Sequence, residues 1–233
     1  MSSASPFDGV QPREEASLSL VRNGLCKEID DLDNRFITEY NKRRQKDGHP
    51  HFIHYDLGPC PFEGDLRSAP VLLLLANPCS NDVCRDDHCP NDALLESWPL
   101  WALGANANIK LKKWWGNRLR ELINRFGARA VSRSIAAIQL FPWASSKFDP
   151  TVSNPSRELM LQTVERQLIR RPLLVVMRSR KLWHKSAAIA EYENQIQNGN
   201  PLCSYVSSGN LGTVHFEAVV AAIAKHLTKT RFA

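Results

Sequence analysis

The residues best suited to chemistry sit where an apolar run stops, at LLLLANPCSN (residues 72–81). Asn77 can hold a water through its side-chain amide, although it is a poor general base. Pro78 fixes the backbone beside it, and Asp82 is a stronger base a few residues on. Cys79 could attack covalently only with a paired base, and none is identifiable in the sequence. The plain alternative is that Asn77 ends a strand and makes an Asx turn.

Two further stretches end in the same way. SIAAIQLF (134–141) runs into PWASSKF, giving Gln139, Phe141, Trp143, Ser145 and Ser146. CSYVSS (203–208) runs into SGNLG, giving Ser207, Ser208, Gly209, Asn210 and Leu211. Gln139 and Ser145 could read the edge of a planar ligand, and Phe141, Trp143 or Trp98 could stack on it. Core packing is the alternative for each aromatic. Ser208 and Gly209 could pinch a phosphate, with glycine allowing close approach. Arg178, Arg180 and Lys181 follow the run PLLVVMR (172–178) and could neutralise a phosphate backbone. Cys79, Cys84, His88 and Cys89 share one loop, but their Cys-x4-Cys-x3-His-Cys spacing matches no common structural zinc pattern. The three cysteines are expected to be reduced thiols in an ordinary polar loop, with no metal and no cofactor.

The elements that must position these groups alternate. Residues 17–46 carry apolar side chains every three or four positions and predict a helix. APVLLLLA, SIAAIQLF, PLLVVMR and CSYVSS predict four strands. LKKWWGNRLRELINRFG predicts an amphipathic helix closed by Gly127, and SNPSRELMLQTVERQLIRR a helix capped by Ser153 or Asn154. A short helix is expected over 179–193, and TVHFEAVVAAIAKHL forms the last. This is an α/β pattern: a three-layer sandwich with a central, mostly parallel four-stranded sheet and helices on both faces. Residues 1–16 are expected to be a disordered tail and 17–233 one domain. In a parallel sheet the carboxyl ends lie on one edge, so the three polar turns can build one pocket there.

The 233 residues carry a formal net charge of +6, which favours an anionic partner. The basic residues concentrate in 110–133 and 166–185, interleaved with tryptophan, a combination common on nucleic-acid surfaces and also on solvated helices. No apolar stretch approaches the roughly 18 residues that span a bilayer. The amino terminus lacks a secretory apolar segment. The expectation is a cytoplasmic monomer with no membrane partner.

GPCPFEGDLRSAPVLLLLANPC, a Gly-Pro loop followed by a strand and Asn-Pro, resembles the first motif of the uracil-DNA glycosylase superfamily. It lies nearest the mismatch-specific and single-strand-selective branches, which carry Gly-x-Asn-Pro-Gly there. SSGNLG is similar to the superfamily's second motif, a His/Asn-Pro-Ser-Pro/Gly loop that enters the minor groove. Ala76 and Cys79 replace the flanking glycines, and Val206 stands where His or Asn is usual. The iron-sulfur cysteine spacing of some members is absent.

The resemblance implies a DNA glycosylase. Such an enzyme flips a nucleotide out of the stack, holds the base in a snug pocket and hydrolyses the N-glycosidic bond to leave an abasic site. Donors aimed at the departing base stabilise its charge. Asn77 and Asp82 would then be catalytic. Pro78, Cys79, Trp98, Gln139, Phe141, Trp143 and Ser145 would line the base pocket. Ser207, Ser208, Gly209, Asn210 and Leu211 would engage DNA with Arg178, Arg180 and Lys181, Asn210 or Leu211 filling the vacated space. The lost glycines and the long 79–108 segment suggest a base larger than uracil, such as a hypermodified cytosine of phage DNA, and hence antiviral defence. The alternative is a DNA- or nucleotide-binding module that kept the fold without catalysis. A different α/β hydrolase is disfavoured, since no Gly-rich phosphate cradle, Gly-x-Ser-x-Gly or metal motif is present.

Overall fold

The computed structural model describes residues 17–48, 52–78, 85–88, 90–145, 147–200 and 203–230. The residues expected to form an N-terminal tail, 1–16, lie outside them, as do Cys79, Asp82, Cys84, Cys89 and Ser146.

A single sheet forms the middle layer, in the order β1-β3-β2-β4-β5. Its strands are β1 (Phe62–Glu63), β2 (Val71–Leu75), β3 (Ile135–Gln139), β4 (Leu173–Val176) and β5 (Gln195–Gln197). β2 lies between β3 and β4, parallel to both, and β5 extends the parallel set. β1 adds an antiparallel edge, with Phe62 opposite Ile138.

The leucine run of β2 is apolar at every position because both faces of the sheet are covered. Leu72 and Leu74 enter a core with Ile29, Ile37, Met160 and Val164, from helices α1 (Leu18–Lys46) and α7 (Arg157–Leu168). Val71, Leu73 and Leu75 enter the opposite core. There they meet α4 (Ile109–Arg118), α5 (Arg120–Phe126), α6 (Ala128–Ser134) and α11 (Thr213–Thr230) through Leu111, Trp115, Leu122, Val131, Val219 and Ile223. The remaining helices are short: α2 (Arg85–His88), α3 (Asp92–Ser97), α8 (Arg180–Trp183), α9 (Ala187–Ala190) and α10 (Ser208–Leu211). The three-layer α/β sandwich is as expected. Among the described residues no helix is long and apolar enough to cross a membrane.

The sheet corrects the sequence reading in two places. It has five strands and is mixed, because the two-residue β1 is too short to show a pattern. Its last strand is Gln195–Gln197, not CSYVSS. Ile196 is buried between two half-buried glutamines, and Gln195 Nε2 donates to the carbonyls of Ile189 and Ala190, so polar letters conceal a strand. In CSYVSS, Ser204 and Val206 are buried and Tyr205 is exposed, which mimics strand alternation. That segment instead leaves the sheet to dock on α4, where the Val206 N–H donates to the Arg118 carbonyl (2.9 Å).

Three helices also differ. The helix expected over 111–127 breaks at the fully buried Leu119, with φ −109° and ψ 13°. Gly127 ends its second half, at φ 81°. The helix expected over 179–193 divides into α8 and α9. α7 begins after Ser156 rather than Ser153 or Asn154, because the side chains of Asn154 and Ser156 are both turned to buried Asp33. Gly64 is required where β1 leaves the sheet. Its φ is 92°, and a Cβ there would lie 2.4 Å from the Ile135 carbonyl oxygen.

Candidate functional site

The carboxyl ends of β2, β3, β4 and β5 point the same way, so the loops that follow them share one edge. Asn77 leaves β2 at the middle of that edge and is half-buried, beside buried Pro78. Its Nδ2 donates to Ser145 Oγ (3.1 Å) and to the Pro78 carbonyl (3.1 Å). Its Oδ1 has no partner among the described residues, and it is therefore free to accept from a water or a ligand. Ser145 is itself held, donating to the Lys147 carbonyl (3.2 Å) and bridged to Ile53.

The backbone around Asn77 is fixed from both neighbouring strands. The Leu75 carbonyl accepts from the Leu140 N–H (3.2 Å) and from Trp183 Nε1 (3.2 Å), and the Ala76 carbonyl from the Phe141 N–H (2.9 Å). On the other side the N–H groups of Met177 and Arg178 both donate to the Leu74 carbonyl. Ser179 then turns the chain into α8 in the left-handed region, φ 57° and ψ 33°. Such a conformation costs about 1–3 kcal/mol in a residue with a Cβ and is held here by the strand before and the helix after. Arg178 is half-buried at this turn, and Arg180 and Lys181 are exposed beyond it.

The aromatic residues expected in one pocket separate. Phe141 and Trp143 belong to the core under α1, whereas Trp98 packs into the core under α4. Trp143 is fully buried, stacks on Tyr55 at 5.2 Å between centroids, and gives its indole N–H to Asp33 Oδ2 (2.8 Å). Asp33 also accepts from the Ser156 N–H (2.9 Å), Ser156 Oγ and Asn154 Nδ2 (3.2 Å). This carboxylate fastens the loop after β3 to α1. Gln139 is 2 % exposed, and its Oε1 is buried with no partner among the described residues. The hollow beside Ser145, lined by Tyr40, Phe52, Ile53, Phe141 and Phe148, measures about 10 Å³. That suits one water and no ring.

The turn after β5 reaches the same edge from the far side. Asn198, just past β5, donates through Nδ2 to the carbonyls of Met177 (3.3 Å) and Cys203, which ties this turn to the end of β4. The Ser208 N–H, expected to meet a phosphate, donates to Glu121 Oε2 (3.0 Å). Asn210 Nδ2 donates to the carbonyls of Tyr205 (2.8 Å) and Cys203 (3.2 Å), bracing the loop. Leu211 is 6 % exposed and seated in the core rather than presented outward. Ser207 is half-buried and Gly209 exposed. The positive φ of this turn falls on Gly212, not on Gly209.

Three residues missed in the sequence complete this side. The Arg118 guanidinium lies 3.7 Å from the Trp114 ring centroid and 5.4 Å from that of Tyr205. Lys110, Lys113, Trp114, Asn117 and Arg118 recur at three and four along α4, so they form one stripe running to Tyr205 and Ser207. The spacing of Trp114 and Arg118 was the available signal. Their contact with Tyr205, far along the chain, was not.

Among the described carboxyls the largest shift is that of Glu63. Glu63, in β1, is pushed up to about 7 by burial, against the pull of Trp115 Nε1, which donates to its Oε1 (3.0 Å), and of Arg22. It lies in the core, away from the edge. No family model matches the chain, and no curated protein or solved structure is similar to it.

Proposed function

We propose that the chain is a DNA glycosylase. It hydrolyses the N-glycosidic bond of a flipped-out, damaged or modified pyrimidine at the edge that carries Asn77. The observation that supports this most is the arrangement of Asn77. Its amide nitrogen is anchored to Ser145, which leaves Oδ1 to orient a water toward an anomeric carbon. In this reading the base departs as an anion while the sugar gains oxocarbenium character, and the oriented water completes the hydrolysis. The buried, unpartnered Oε1 of Gln139 is an acceptor suited to an exocyclic amino group or to a bridging water. Arg178, Arg180 and Lys181 hold the strand on one side and the α4 stripe on the other, with Trp114 and Tyr205 as stacking surfaces. The chain acts as a cytoplasmic monomer and uses no cofactor. A hypermodified cytosine of phage DNA is the proposed substrate base, which would make the reaction antiviral.

One observation favours a second reading, a module that binds DNA without cleaving it. The hollow beside Ser145 admits a water only. The Asn77→Ala variant separates the two readings. A glycosylase loses turnover about 10²–10³-fold while its DNA affinity stays within about twofold. A binding module has no turnover to lose.

A further inference from the structure

The largest cavity among those defined lies on the opposite, amino edge of the sheet and plays no part in the reading above. Its volume is about 480 Å³. Pro70 precedes β2, Pro172 and Leu173 open β4, and Asn194 precedes β5, so three strand starts form one wall. The face of α11 from Ala218 to Lys229 forms the other, with Ala218, Ala221 and Ala222 as an apolar floor.

The charge of this cavity is one-sided. Arg170, Arg171, Lys225, His226 and Lys229 line it, and among the described residues no carboxylate does. Arg170 is held in place, its guanidinium donating to the Leu66 carbonyl and to Gln167 Oε1 (3.1 Å). Burial holds Arg170 and His226 below their usual values, an effect that Asp65 opposes only in part, and the Asp65 oxygens are taken by Arg67 and Ser68. Arg171 is one of two non-glycine residues with positive φ among the described residues, at 55°. Its carbonyl and that of Pro172 accept from Asn194 Nδ2, and Pro172 also from the Tyr192 hydroxyl (2.7 Å). The fold thus holds a strained arginine at the mouth of a ligand-sized, polycationic cavity, and strain of this kind gathers at binding sites.

We infer that the amino-edge cavity binds a nucleoside triphosphate. Four permanent cations match the charge of a triphosphate, the Arg171 guanidinium and the remaining Nη1 of Arg170 give donors to its oxygens, and the alanine floor with Pro70 and Pro172 accepts the planar base. The same phosphate chemistry could be offered by the 5′-phosphate of a DNA strand, and the test separates these sources.

Adenosine triphosphate, adenosine, inorganic tripolyphosphate and a 5′-phosphorylated hexanucleotide are titrated calorimetrically into the full chain. Adenosine triphosphate is expected to bind most tightly, with adenosine and tripolyphosphate each weaker by about tenfold or more, since each lacks half of the contacts. The pair Lys225→Glu and Lys229→Glu, on the exposed end of α11, should weaken the nucleotide by about tenfold or more. Ala221→Trp, which fills the floor and leaves every charge, should do the same. Circular dichroism establishes that both variants fold. Absence of nucleotide binding to the parent chain at millimolar concentration overturns the inference, and so does equal affinity for parent and both variants. Tighter binding of the hexanucleotide than of adenosine triphosphate also overturns it. Because the altered residues lie across the sheet from Asn77, base release is unaffected by them, and failure here leaves the glycosylase proposal standing.

Discussion

The two edges of the sheet are built on opposite plans. At the carboxyl edge the loops are tied down: Asn77 to Ser145, Leu75 to Trp183, and Trp143, Asn154 and Ser156 to Asp33. The hollow beside Ser145 measures about 10 Å³. At the amino edge the strand starts and α11 stand apart, leaving about 480 Å³ lined by cations. A tightly braced edge holds a few polar groups in fixed directions, which chemistry on one bond requires. An open, charged hollow gains affinity from charge and area instead.

Removing the brace should break the contrast most. Asp33→Ala leaves the donors of Trp143, Asn154 and Ser156 without their buried acceptor and should cost about 3–5 kcal/mol, read as a shift of the urea midpoint. Unchanged stability would mean that the loop after β3 is not fastened through Asp33.

The next effect concerns pH. Glu63 is raised from 4.5 to about 7 by burial, so the folded chain holds its proton more tightly than the unfolded chain. Stability is therefore fully present at low pH, falls as pH rises from about 4.5 through about 7, and levels off above, by about 3 kcal/mol at most. Glu63→Gln keeps an acceptor for Trp115 and should flatten this part of the profile in thermal melts from pH 4 to 8. A profile identical to the parent's would remove Glu63 as its source.

Two smaller changes sharpen the functional side of the comparison. Ser145→Ala frees the amide of Asn77 and should slow base release about tenfold, or about 1.4 kcal/mol, with DNA affinity unchanged. Trp114→Ala should weaken single-stranded DNA by about 1 kcal/mol and leave turnover of bound DNA unaltered. If the stripe and edge together neutralise about five phosphates, duplex affinity falls with salt at a log–log slope near −4.5.

The sequence carried the sheet's interior well. VLLLL and LLVV are strands because both faces are covered, and that requirement writes itself into consecutive residues. It carried the outer strands poorly. Ile196 sits between two half-buried glutamines, and the Gln195 amide bonds to α9, so no hydrophobic period marks β5. The pairing of Asn77 with Ser145 was legible as two polar strand ends on one edge, although their hydrogen bond was not. Phe141 and Trp98 looked equally fit for one pocket, yet strand alternation and a long connection send them to opposite cores. The amino-edge cavity was hidden altogether. Its cations come from residues 170–171 and 225–229, brought together only when α11 lies across the start of β4.

The central claim is that the braced edge around Asn77 releases a base from DNA. Its most direct measurement is an abasic-site assay of the full chain on phage DNA with hypermodified cytosines, on uracil-containing DNA and on unmodified DNA. Abasic sites in the hypermodified DNA, lost in Asn77→Ala, are the expected result. Cleavage of uracil alone would contradict the assigned base, and intact glycosidic bonds in every substrate that the chain binds would contradict the claim itself.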